Sequence, residues 1–259
     1  MTNLKRCLPQ LAVGLGQGVI VAAALVFAPA IAPALAQDSP TIDPFADELL
    51  RDMGAYIDEA DNFTVEVQVE VDELSPRGQK IQYTSNVDLA VRGENRMHVY
   101  EVGDLRDRTL WFDGDAFTVL DRDLDNYVVV DTPDNIADAI LFLEDRGVIF
   151  PLSDFVTGSF YAGVTTNIQT GDYLGLHLVG DRQCHHLAFT QDNIDWQIWI
   201  ADGYEIVPCK LIITYKNLPE SPQYTAYFGE WNFAPRLPDR LFNFVPPEGT
   251  SQIEFVPRE

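Results

Sequence analysis

The chain has 259 residues, 46% of them hydrophobic, with 40 acidic side chains against 17 basic and a net charge of −23. That apolar share is enough for a sizeable core, whereas the charge argues against nucleic acid and against adhesion to anionic lipid headgroups, because both need basic patches. A soluble, well-solvated acidic surface is the reading that remains.

Lys5 and Arg6 precede an apolar stretch, Val19 to Ala36, which ends in Ala34-Leu35-Ala36 just before Gln37 and Asp38. This is the layout of a secretory signal peptide cleaved after Ala36. Pro29 and Pro33 break the run and argue against an uncleaved membrane anchor, and Cys7 lies ahead of it, where it cannot be the lipidated cysteine of a lipoprotein. Removing residues 1–36 leaves 223 residues and takes the charge from −23 to −25, since Lys5 and Arg6 are the only charged side chains removed. A β-rich chain of about 200 to 250 residues commonly forms one unit. The expectation is a periplasmic protein with a single domain over residues 37–259 and no stable membrane anchor.

From Phe45 to Ala60 the residues Phe45, Leu49, Met53, Tyr56 and Ile57 recur at helical spacing, with Asp47 and Glu48 in the first turn, which predicts an amphipathic helix. Phe63, Val65, Val67, Val69 and Val71 then alternate with Thr64, Glu66, Gln68, Glu70 and Asp72, a strand with one wet and one buried face. After the turn Ser75-Pro76-Arg77-Gly78, a second long strand runs from Ile81 to Val91. Met97 to Val102, Thr109 to Phe112, Ala116 to Leu120 and Tyr127 to Val130 continue the series, with short polar turns between them. Loops this short make an antiparallel meander, because a parallel sheet needs a crossover between strands.

The pattern breaks at Thr132-Pro133-Asp134, a helix-start signal. Ile136 to Leu143 reads IADAILFL, apolar around most of the helix, and Val148, Ile149, Phe150, Leu152, Phe155 and Val156 follow. Such a segment is expected to be buried, either as an ordinary core plug or as a movable lid on an apolar cavity. Tyr173 to Gly180 resumes the sheet. Leu187–Thr190, Trp196–Ile200 and Leu211–Tyr215 read as hairpin-linked strands, and a last short strand is expected near Ile253 to Val256.

Candidate chemistry is thin. Cys184 and His186 share a strand face, but no second cluster stands at zinc spacing. Asp121, Asp123 and Asp125 begin like a calcium loop, yet Asn126 and Thr132 stand where that loop needs Gly and a bidentate Glu. The patterns H-E-x-x-H and G-x-S-x-G are missing. No catalytic residue, metal or cofactor is therefore expected. Export favours a disulfide between Cys184 and Cys209. Against it, a regular hairpin register puts them two strands apart and displaced along the sheet, beyond the roughly 7 Å Cα separation a bridge tolerates. The pairing stays open at this point.

The C-x-H-L-A-F of Cys184 to Phe189, D-W-Q-I-W-I of Asp195 to Ile200, P-C-K-L-I-I-T-Y of Pro208 to Tyr215, P-Q-Y-T-A, and F-x-F-x-P-P-x-G of Phe242 to Gly249 resemble a bacterial family of predicted periplasmic proteins. That family belongs to the LolA/LolB-like superfamily of the outer-membrane lipoprotein carrier. The resemblance is close over the last third and looser through residues 45–180. It implies a mainly β (α+β) fold: a large curved antiparallel sheet forming an open half-barrel, with an N-terminal helix and inserted helices covering the concave face. It also implies a non-enzymatic carrier or binding protein for a hydrophobic ligand, an acyl chain, lipid or lipidated protein. The alternative is an interaction scaffold whose concavity is filled by its own side chains. The lid would be Ile136 to Val156, and the expected cavity or lid residues are Trp111, Leu141, Phe142, Phe150, Phe155 and Trp196.

Overall fold

A computed structural model describes residues 40–257. The signal peptide and cleavage site expected from the sequence lie outside the described residues.

The chain runs β1 (Thr41–Ile42), α1 (Pro44–Asp58), β2 (Asn62–Leu74), β3 (Lys80–Arg92), β4 (Met97–Gly103), β5 (Asp107–Phe112), β6 (Ala116–Asp121) and β7 (Asn126–Asp131). It continues through α2 (Ile136–Glu144), a 3₁₀ turn (Ser153–Phe155), α3 (Phe160–Thr165), β8 (Thr170–Val179), β9 (Arg182–Thr190), β10 (Ile194–Ala201), β11 (Pro208–Tyr215) and β12 (Gln223–Asn232). A second 3₁₀ turn (Asp239–Leu241) and β13 (Ser251–Gln252) close it.

All these strands share one open sheet in the order β1-β8-β9-β10-β11-β12-β2-β3-β4-β5-β6-β7-β13. It is a half-barrel with helices on its concave face. The first long strand, β2, lies in the middle, and β12 returns to pair with it antiparallel. The β2–β3 ladder is continuous from Asn62↔Arg92 to Leu74↔Lys80. The sheet departs from the expected pure antiparallel arrangement at its ends. There the two-residue strands β1 and β13 pair parallel with β8 and β7 and cover edges that would otherwise be left open. The last strand also comes earlier than Ile253 to Val256. Only Ser251–Gln252 form it, although the Ile253 N–H still donates to the Tyr127 carbonyl.

The alternation in β2 is realised as read: Phe63, Val65, Val67 and Val69 are buried on the concave side, and Glu66 and Gln68 face water. α1 forms because Asp43 caps it, its carboxylate accepting from the Phe45 and Ala46 N–H groups, with Pro44 at the first position. α2 begins later than Thr132-Pro133 suggests. The Thr132 N–H is still extending the β6–β7 ladder by donating to the Asp115 carbonyl, and Asn135 is the cap, accepting from the Asp138 N–H at 2.8 Å. Nor is α2 buried all round. Ile136, Ala139, Ile140 and Leu143 form one inward stripe, and Leu141 on the other side is 38% exposed.

The convex face of β4–β7 is partly covered. The C-terminal segment lies over it, with Phe242 fully buried under the Arg92 guanidinium, 4.8 Å from the ring, and Phe244 between Trp111 and Tyr127.

Cys184 and Cys209 are joined in a disulfide, with Cα atoms 6.9 Å apart. The regular register that argued against the bridge does not hold. Trp199 faces Lys210 but Ile200 faces Pro208, so a β-bulge leaves Cys209 as the extra residue of β11. A bulge bends its strand and re-aims the extra side chain, which lets Cys209 reach Cys184 past Ala201.

Candidate functional site

The concave face holds a cavity of about 290 Å³. Its floor is aliphatic: Val67, Val69 and Val71 from β2, Val87 and Leu89 from β3, Met97 and Val99 from β4, and Leu110 from β5. These residues meet because alternate positions of adjacent antiparallel strands point the same way, as in the pairs Val67↔Val87 and Val99↔Leu110. The roof is Ile140 of α2 together with Ile149 to Ser153 and Val156. Gly147 makes this roof possible: at φ +84° it takes the left-handed turn that ends α2, its N–H donating to the Glu144 carbonyl, and sends residues 148–156 back across the sheet.

One end of the cavity is polar. Arg108 Nε donates to Glu101 Oε2 at 2.7 Å, Ser85 Oγ donates to Glu101 Oε1 at 3.2 Å, and Arg106 and Tyr224 complete the rim. Burial, chiefly, pushes the Tyr224 hydroxyl far above its usual range, so it stays a neutral donor. The roof carries two acids. Burial pushes Glu144 up to about 7, the neighbouring Asp154 and Asp145 charges adding to it, although the Ser153 hydroxyl donates to Glu144 Oε1. Burial likewise pushes Asp154 up to about 6.

The residues expected at the site scatter. Phe150 lines the cavity. Leu141 faces outward, and Phe142 is half-buried under the Arg146 guanidinium, 3.4 Å from its ring. Phe155 packs on Phe160 and Phe228, and Trp196 stacks on Phe189 at 4.3 Å; both are buried outside the cavity lining, beyond β2. Trp111 lies on the convex face, against His98 and Phe244, because it is one residue out of phase with the concave Leu110 and Phe112. The sequence reading held Ile140 only within the lid Ile136 to Val156, without singling it out, and missed the polar group Glu101, Arg106 and Arg108. The available signal was charge on the apolar phase of β4 and β5, where Val99 and Glu101 share a face with Leu110 and Arg108.

A second, larger depression of about 740 Å³ lies on the convex side, between the sheet and Leu241. It is an open groove lined largely by polar and charged groups, among them Glu66, Asp88, His98, Arg122 and Glu230, so it offers no shelter to an apolar ligand. His186 hydrogen-bonds His177 at 2.9 Å and Gln197 at 3.1 Å and stacks on Trp199 at 3.9 Å. In the β6–β7 turn, Asp121 accepts from the Leu124 N–H and Asp123 from the Asp107 N–H. Among the described residues no group of three or more His, Cys, Asp or Glu is placed to hold a metal, and no helix is long and apolar enough to cross a membrane.

The family described as "Predicted periplasmic protein (DUF2092)" matches residues 46–256. The chain belongs to that family. Among solved structures, this DUF2092 protein is similar to a LolA superfamily protein from Nitrosomonas europaea, at 13% identity and a TM-score of 0.39, over 77% of this chain and 97% of that one. It is similar to LprF from Mycobacterium bovis at 12% identity and a TM-score of 0.45, over 81% and 99% of the two chains. The MucA/MucB complex structure from Pseudomonas aeruginosa matches at 13% identity and a TM-score of 0.42, over 76% and 60%. No curated protein matches. Likenesses this distant say nothing about a ligand.

Proposed function

We propose that this DUF2092 protein is a non-enzymatic periplasmic carrier or binding protein for a hydrophobic ligand, with residues 1–36 as its cleaved signal peptide and residues 37–259 as its single domain. The observation that supports this is the aliphatic cavity beneath the 148–156 roof. Its volume of about 290 Å³ is near the lower end of the roughly 300–1,000 Å³ typical of small-ligand sites, room for one slender chain rather than several. Water makes such shelter worthwhile, since each buried methylene is worth about 0.8 kcal/mol. Ile149, 76% exposed on the cavity's edge, is the apolar lip over which a chain would enter.

Native mass spectrometry and lipid extraction of protein purified gently from the periplasm test the reading, with acyl species expected to copurify. Val87→Phe, which puts a ring into the cavity from its floor, is expected to abolish uptake of an environment-sensitive fatty-acid probe while the β-sheet circular dichroism is unchanged. No copurifying lipid and no probe uptake by the wild-type protein would end the carrier reading.

A further inference from the structure

Within the carrier reading, we infer that the ligand is a single-chain amphiphile with an anionic head, a carboxylate or phosphate, and that Arg106 is the residue that binds the head. The cavity is two-ended, aliphatic along β2–β5 and polar where Ser85, Glu101, Arg106 and Arg108 converge. A chain with only 17 basic residues against 40 acidic places two arginines on this one rim. They are not equivalent. Arg108 is held by Glu101, whereas the Arg106 guanidinium has no hydrogen-bond or ion-pair partner among the described residues.

Neither flanking acid forms an ion pair with Arg106, and each has another partner. The Asp104 carboxylate accepts from the Thr84 N–H at 2.8 Å, and Asp107 pairs with Arg122 at 3.1 Å. The same contacts fix where Arg106 stands. At Gly103 the β4–β5 turn passes so close to β3 that a Cβ would sit 2.3 Å from the Thr84 carbonyl oxygen, so the turn needs glycine there. The Asp104 N–H donates to that same oxygen at 2.9 Å, and beyond Arg106 the Asp107 N–H donates to Asp123. A free guanidinium is thus carried on a turn pinned on both sides, next to Leu105, which is 41% exposed on the same rim. A planar fork of N–H donors matches a carboxylate or phosphate and has nothing to offer a hydrocarbon end. The gain from burying one acyl chain is of the same order as the freedom lost on association. Head-group contacts therefore decide whether a single chain is held.

The test is calorimetric titration of the purified, delipidated protein with palmitate, 1-palmitoyl lysophosphatidate and hexadecanol, repeated on Arg106→Gln and Arg106→Lys. The wild-type protein is expected to bind both anions more tightly than the alcohol. Arg106→Gln should weaken anion binding roughly tenfold to a hundredfold, leave hexadecanol unchanged, and be partly rescued by Arg106→Lys. The tighter-binding anion identifies a free fatty acid or a phosphate head as the source. If all three bind and Arg106→Gln changes none, or all equally, the head-group inference is wrong and the carrier reading stands. If none binds, the carrier reading itself fails.

Discussion

The concave face has two halves that meet at β2 and end with opposite contents. Over β8–β12 the concave side is filled with aromatic side chains: Phe189 stacks on Trp196, Phe155 packs between Phe160 and Phe228, and α1 adds Leu50, Met53 and Ile57. Over β2–β5 the inward residues are mostly valine and leucine, and a nine-residue helix and an irregular segment make the roof. These mostly short side chains leave a cavity between the sheet and its cover. The same half-barrel is therefore a packed core on one side and a container on the other, and side-chain length, not sheet geometry, makes the difference.

The contrast can be broken first on the filled side. Phe189→Ala is expected to cost about 3–5 kcal/mol, the range for emptying a packed aromatic site, read as a lower urea midpoint. A loss below about 1 kcal/mol would mean that half is as loosely filled as the other. The disulfide comes next. Replacing Cys184 and Cys209 together by Ala should cost about 2–4 kcal/mol, given the 25-residue separation. Ligand uptake should survive at temperatures where the fold persists, because the bridge lies outside the cavity lining.

The smallest effect concerns the roof. Glu144 is raised from 4.5 to about 7 and Asp154 from 3.8 to about 6, so between these values the folded chain keeps protons that the unfolded chain has lost. Their contribution to stability is fully present below about pH 4 and is lost as pH rises through about 7. Glu144→Gln should flatten part of that slope and stabilise the protein at pH 8 by about 1 kcal/mol, a figure kept small because the side chain is only half-buried. Urea titrations at pH 5 and pH 8 measure it. An unchanged slope would place the protonation elsewhere.

Much of the meander was legible because period-two alternation is a local property of each strand. β2 could be read residue by residue, and the motifs from Cys184 to Gly249 pointed to the family. The site was less legible. Phe150 was found because an apolar residue in an apolar run must be covered. Trp111 was misplaced because its own strand does not reveal that the C-terminal segment buries the convex side too, so bulk at that position fits either face. Arg106 and Arg108 passed unnoticed, since a charge near a hairpin turn is ordinarily solvated.

By itself, then, the sequence determined the strands, the leading helix, the acidic surface and the family, all of which follow from local periodicity and short motifs. Tertiary structure alone decided the Cys184–Cys209 bridge, which depends on one bulge. It also decided which half of the concave face stays open, and that an arginine with no partner among the described residues stands at its rim. These depend on register and on how far side chains reach across the sheet, quantities that exist only once distant strands are side by side.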